Sequence, residues 1–337
     1  MAKVITLAVF LAVASTGSIT AQTTGDTIAI KEWTVPWEKS RPRDPSVDQQ
    51  GRIWFVGQTG NYVARFDPTS SKFERFEIDS GTFPHTVKID AAGNAWYAGN
   101  RNGMIGRIDG STGTIKRYPM PAPEARDPHT IVFNRKGQLW FTLQQSNMVG
   151  HLDPASGKIQ LVKIPSASSR PYGIVVDKNG RPYFDQFGTN KIGTIDPATM
   201  QVREYELPWP DARPRRIAIT DDGIIWYGDY TRGTLGRLDP TTGKAEEFPL
   251  PSGRRSLPYA MASDDNGTIW LVETGVQPNR FVAFDPKTKA FTKVSPVPGG
   301  GGTVRHMEFD PNTGRIWFGS DNNTIGYAQA RPSRVIP

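Results

Sequence analysis

Cysteine is absent from this chain. That excludes a thiol nucleophile, thiolate-bound zinc, a c-type haem and a lipid-modified cysteine. Histidine is scarce, with four in 337 residues. After residue 21 there is no His-Glu-x-x-His, no glycine-rich phosphate loop and no nucleophile elbow, which removes the common metalloprotease, nucleotide and serine-hydrolase signatures. The net charge is +7. No run of five basic residues carries it, so nucleic acid is not an expected partner. Nor does any stretch approach the ~20 apolar residues needed to cross a bilayer, so no membrane span is expected.

Residues 1–21 stand apart. Lys3 precedes the apolar run Val4 to Ala14, and small residues follow from Ser15 to Ala21. This is the layout of a secretory signal, and a membrane anchor or a disordered tail is the alternative. It predicts a periplasmic or secreted protein beginning near Gln22. A chain this long can build a core large enough to do without disulfides outside the cell.

What is abundant is turn chemistry: 34 glycines and 28 prolines. Aromatic anchors recur at Trp54, Trp96, Trp140, Tyr183, Trp226, Trp270 and Trp317, spaced by 42, 44, 43, 43, 44 and 47 residues. Each repeat holds four apolar runs of strand length, broken by turns such as Asp90-Ala91-Ala92-Gly93 and Asp239-Pro240-Thr241-Thr242-Gly243. Four strands in some 40 to 50 residues is the pattern of a propeller blade; a β-solenoid, the competing repeat fold, generally uses shorter units. The seventh repeat lacks its fourth strand, and the unclaimed run Ile28 to Pro36 supplies it. The chain therefore reads as an all-β, seven-bladed propeller over residues 22–337, closed by its amino-terminal strand and acting as a monomer.

Counting eleven residues back from each anchor gives Arg43, His85, His129, Tyr172, Arg215, Tyr259 and His306. These positions begin the innermost strands, so the side chains are expected to meet at the channel mouth, as convergent polar groups do in a binding site. A water-filled polar ring is the plainer reading. Three residues beyond each anchor, strand pairing is expected to set Asp229 beside Arg215 and Glu273 beside Tyr259. The loops on that face carry Arg41, Arg126, Arg170, Arg213, Arg216, Arg254, Arg255 and Arg305. A positive mouth favours a small anionic ligand. His151 is expected at the surface, and Gly299–Gly302 as a hinge.

The phrases Arg170-Pro171-Tyr172-Gly173-Ile174, Leu139-Trp140-Phe141-Thr142 and Asn190-Lys191-Ile192-Gly193-Thr194-Ile195-Asp196 resemble the streptogramin B (virginiamycin B) lyase family. The resemblance implies opening of a cyclic depsipeptide by elimination. A histidine base removes a Cα proton, and a magnesium ion held by two glutamates polarises the adjacent carbonyl. Aligned this way, the base falls on His306, the glutamates on Val304 and Ser320, and a second histidine on Tyr259. Asp321, Glu308 and Glu273 are the substitute carboxylates, and Asp127-Pro128-His129 repeats half of the motif.

Three readings follow. The first is a carbon–oxygen lyase acting on an anionic or cyclic ester molecule, with His306 or His129 as base and Arg43, His85, Tyr172, Arg215, Tyr259 and Glu273 as ligand-binding groups. The second is a non-catalytic binder of a ligand or protein. The third is a metal-dependent lactonase, for which no Glu/Asn/Asp cluster can be assembled. Magnesium as such enters through the resemblance; from the residues themselves, Glu273 is read as a carboxylate that could orient a base or help bind a divalent cation through oxygen.

Overall fold

Apolar runs of five or six residues, punctuated by Asp, Gly and Pro, pair naturally into short antiparallel strands. The structure, a computed structural model, describes residues 27–332. The segment read as a secretory signal lies outside the described residues. Seven four-stranded antiparallel sheets form. Their innermost strands are Pro42–Val47, Pro84–Ile89, Pro128–Phe133, Pro171–Val176, Pro214–Ile219, Pro258–Ser263 and Val304–Asp310. Each touches the innermost strands of its two neighbours, and the seventh returns to the first. The fold is a seven-bladed β-propeller. Among the described residues the one helix is a 3₁₀ turn at Gly253–Ser256, and no helix is long and apolar enough to cross a membrane.

Closure is as expected. Ile30–Thr34 pairs antiparallel with Thr324–Gln329 as the outer strand of blade seven. Trp33 then stacks on Trp317, ring centroids 6.0 Å apart, and meets Phe66 of blade one at 4.9 Å. The amino terminus thereby covers an edge that would otherwise template aggregation.

The repeat residues have identifiable work. Asp90 accepts the backbone N–H groups of Ala92 and Asn94 and also the indole N–H of Trp96 at 2.8 Å. Asp48 and Asp264 hold Trp54 and Trp270 in the same way. One carboxylate thus closes the first hairpin and satisfies the polar atom of the buried anchor. In the third strands, a Cβ on Gly106, Gly150 or Gly236 would lie 2.0–2.1 Å from the ring of Tyr97, Phe141 or Tyr227. Glycine is required there by close approach, because the aromatic lies flat over the neighbouring strand.

One irregularity shapes everything at the axis. In all seven blades the register between the first and second strands slips by one residue near the start of the innermost strand. Such a bulge interrupts the strict in–out alternation. Two successive side chains per blade can therefore reach the channel.

Candidate functional site

The bulge corrects the sequence registration. Pro42, Pro84, Pro128, Pro171, Pro214, Pro258 and Val304 pair with Gly57, Gly99, Leu143, Gln186, Asp229, Glu273 and Ser320. The next residues, Arg43, His85, His129, Tyr172, Arg215, Tyr259 and Arg305, make the first layer. The hairpin of blade seven is one residue longer, since Phe309 pairs with Ile316 where Phe133 pairs with Leu139. Arg305, not His306, is therefore the seventh member. His306 belongs to a second layer with Asp44, Thr86, Thr130, Gly173, Arg216 and Ala260.

The first layer is packed, not open. His85 and His129 are each 3% exposed and their rings lie 3.4 Å apart. His129 meets Tyr172 at 4.2 Å, and the Tyr172 hydroxyl shares a hydrogen bond with that of Tyr259. The Arg215 guanidinium lies 3.7 Å from the centroid of Tyr259 and 4.3 Å from that of Tyr230, with Phe187 also beside it. Arg43 donates to Asp44 and to Gln58, both at 3.0 Å.

The second layer turns on Asp44 and Arg216, both buried. Asp44 accepts from Thr86 at 2.9 Å and from Arg216 at 3.4 Å. Arg216 also donates to Thr130 Oγ1 and to the Arg305 carbonyl, each at 3.1 Å, so it links four blades. The sequence places Arg216 and Asp44 in the loops that enter the innermost strands and gives neither them nor the threonines a place inside the channel. The usable signal was two consecutive polar residues directly after a strand-initiating proline, as in Arg43-Asp44, His85-Thr86 and His129-Thr130.

Burial and clustered cations set the protonation states. Burial would raise the Asp44 carboxyl, but Arg43 and Arg216 outweigh it and hold it well below the usual range. Burial, then Arg43 and Arg216, pushes His85 well below 6.5. Burial and the His85 and Arg216 neighbours do the same to His129. Burial and Arg216, opposed by Asp44, depress His306. All three rings are neutral in the folded state. On unfolding they return to the ordinary value of 6.5. Stability should therefore fall as the pH drops through 6.5, with a slope of up to about 1.4 kcal/mol per pH unit for each ring. Thermal melts followed by circular dichroism one unit either side of that value should show the drop. His85→Gln should make it shallower, and equal melting temperatures at both pH values would contradict the assignment.

His306 differs from its neighbours. Neither ring nitrogen has a hydrogen-bond partner and both are shielded from solvent, although the residue keeps some exposed surface. That surface lines a cavity of about 450 Å³. Arg216 and Thr130 share the inner end; Ile131, Ile174, Ile217 and Met261 form apolar walls, with Lys88 and Glu308 paired at the rim. The cavity opens where the innermost strands end. The expected working mouth was the opposite one, where they begin; there the aromatic and guanidinium packing of the first layer fills the channel. A larger groove of about 650 Å³ runs among the turns around Arg135, Asp177 and Asp222, and none of the channel side chains reaches it.

The profile of the virginiamycin B lyase family matches residues 5–281. The chain belongs to the virginiamycin B lyase family. The Staphylococcus aureus virginiamycin B lyase superposes with a TM-score of 0.81 at 23% identity, covering 90% of this chain and 99% of that one. A streptogramin B lyase structure gives 0.80 at 24%, covering 89% and 97%. The extracellular domain of a hybrid two-component system from B. thetaiotaomicron gives 0.69 at 18%, covering 93% of this chain and 44% of its own. At these identities the likeness speaks for the fold. No curated protein matches the chain.

The magnesium site implied by the lyase resemblance does not fit these residues. Val304 and Ser320 are register partners and both are fully buried. Between them they offer one hydroxyl, which bonds Thr324 at 2.7 Å. The substitute carboxylates are engaged elsewhere: Asp321 with Arg305, Glu308 with Lys88, and Glu273 with Arg280. Among the described residues no group of three His, Cys, Asp or Glu is placed to hold a metal ion. Two expected pairings fail for the same reason of register. Glu273 faces Pro258 and accepts from Ser252, Ser256 and Arg280, away from Tyr259. Asp229 accepts backbone N–H groups of Arg213, Thr231 and Arg232 rather than pairing with Arg215. Asp127 likewise caps the turn at Ser146. His151 is half-buried against Trp140, centroids 4.4 Å apart. The Gly299–Gly302 run is anchored, not free: Gly299 N–H donates to Glu32 at 2.6 Å, and Gly302 O accepts from Gln277 at 2.9 Å.

Proposed function

We propose that this member of the virginiamycin B lyase family binds a small organic anion with an apolar body in the cavity beneath His306, and opens it by elimination. The observation that carries this reading is the His306 ring: a neutral imidazole whose nitrogens lack partners, lining a cavity beside a guanidinium. Buried polar atoms without partners call for an explanation, and a substrate proton is one. In the proposed step the ring turns a nitrogen, shielded in the unliganded protein, into the cavity and takes a proton from carbon next to a carbonyl. The electron pair forms a carbon–carbon double bond, and the adjacent carbon–oxygen bond breaks with oxygen leaving as the anion. Arg216 faces the developing oxyanion, a role that fixed positive charge performs well in a low-dielectric site. Arg43, His85, Tyr172, Arg215 and Tyr259 form the layer behind, and their excess positive charge draws an anion inward. His129, stacked between His85 and Tyr172, supports the layer and is the less favoured base. The amino-terminal pattern from Lys3 to Ala21 supports action outside the cytoplasm.

Ala262 lines the cavity near its rim and is only partly buried, so a larger side chain there should block entry without disturbing the core. Calorimetric titration with a panel of cyclic esters, aryl carboxylates and acidic sugars should find a ligand for the wild type. Ala262→Trp should weaken it at least about tenfold, roughly 1.4 kcal/mol, with the melting temperature held. Equal binding by both proteins would place the ligand elsewhere. A second reading, binding without turnover, is favoured by Val304 and Ser320 standing where the family carries carboxylates. Tight binding with no product formed would decide for it.

A further inference from the structure

Charge accounting at the axis leaves two cations over, four guanidiniums against the carboxylates of Asp44 and Asp321. Four guanidiniums, those of Arg43, Arg215, Arg216 and Arg305, surround the Tyr172–Tyr259 pair. Asp44 serves Arg43 and Arg216, and Asp321 serves Arg305. No carboxylate among the described residues pairs with Arg215, whose Nε also lacks a partner. Asp185, also buried, accepts from the Gly173 N–H at 3.0 Å and forms no ion pair with Arg215, and burial pushes its carboxyl well above the usual range. A guanidinium ringed by aromatic side chains, its Nε shielded and without a counter-charge, is costly to hold.

We propose that Tyr259 carries a phenolate that serves as the internal counter-anion of this guanidinium cluster, with the Tyr172 hydroxyl donating to it. Two of the four guanidiniums favour the Tyr259 ring: Arg215 lies 3.7 Å from it against 5.6 Å from that of Tyr172, and Arg305 lies 5.6 Å from it, while Arg216 is nearer Tyr172, 5.1 Å against 5.7 Å. Tyr172 instead packs on the neutral His129 ring. The cations that face Tyr259 all act in the same direction. Blade five presents Arg215, Arg216 and the Tyr230 ring; blade seven presents Arg305; Arg43 and Tyr172 face it across the channel. Within its own blade Glu273 is turned away to Arg280. Burial alone would raise the Tyr259 phenol; Arg215, Arg43, Arg216 and Arg305 together bring it down to about 7.

A consequence reaches the ligand, and this part rests on the anion-binding reading above. An anion held at Arg216 in that cavity draws on the positive charge that stabilises the phenolate, which then takes up a proton. Anion affinity should accordingly fall as the pH rises through the phenolate titration.

Tyrosinate absorbance tests the first claim without any ligand. The folded wild type should show one tyrosine ionising near pH 7, and Tyr259→Phe should lose that step while keeping the rest. Tyr172→Phe should move the step upward, because the donor to the phenolate is gone. If no tyrosine ionises before the bulk of them, or if the step survives in Tyr259→Phe, the proposal is overturned. Titration repeated in inorganic phosphate as the probe should shift the step upward. A step present but indifferent to phosphate would overturn the competition and leave the phenolate standing. A failure of the ester panel to bind would bear on the functional reading alone.

Discussion

Asp44→Asn should cost the propeller about 3–5 kcal/mol, a loss read as a lower urea midpoint, because it strips the one buried carboxylate from two buried guanidiniums. Asp44 is fully buried and lies 3.0 Å from Arg43 and 3.4 Å from Arg216. Its backbone has φ of 49°, in the left-handed region. Asparagine tolerates that conformation as well as aspartate does, so the substitution removes charge and leaves the bulge intact. The amide also keeps an acceptor for Thr86. What it cannot do is balance Arg43 and Arg216, which would face each other across the channel without a counter-ion. Arg216→Met in the same background should therefore restore part of the loss, and the double mutant should be less destabilised than the two single effects added together. Additive losses would mean that Asp44 acts through its bond from the Thr86 hydroxyl and not through its charge.

The same residue shows where sequence reasoning stops. The anchors Trp54 to Trp317 revealed the blade count, because each must fill the same gap between sheets and so recurs at the same interval. The closing strand was legible for a related reason: Ile30–Thr34 repeats the half-exposed alternation of every outer strand. The channel was not legible in full. Period-two reasoning assigns one inward residue where the bulge delivers two, so Asp44, Thr86, Thr130 and Arg216 were passed over. Counting back from Trp317 also carried the longer last hairpin into the ring, which put His306 in the place of Arg305. The pairings proposed for Asp229 and Glu273 failed by the one-residue slip at the bulge of their own blades. An error of one position in a strand moves a side chain to the other face. The burial of the first layer was hidden as well, because Arg215 reads as a solvated cation until four aromatic rings are found around it.

His306→Ala should lower turnover of a bound ester by roughly 10²–10⁴-fold, the range lost when a positioned general base is removed. Binding should persist, since the cavity walls and Arg216 remain, so the loss should fall on kcat and leave KM within a few-fold. Thermal stability should change little. The ring makes no hydrogen bond that alanine would break, and its removal relieves two shielded nitrogens of their missing partners. The pH profile separates a base from a spacer. Burial and Arg216 hold the imidazole well below 6.5, so the wild type should keep its activity into acid beyond the point where an ordinary histidine would protonate. A profile that falls off at 6.5 would assign the base to a different group. His306→Ala working as well as the wild type would remove elimination by this residue altogether. The channel would then be a binding site whose neutral histidines serve only to keep more positive charge from gathering around Asp44.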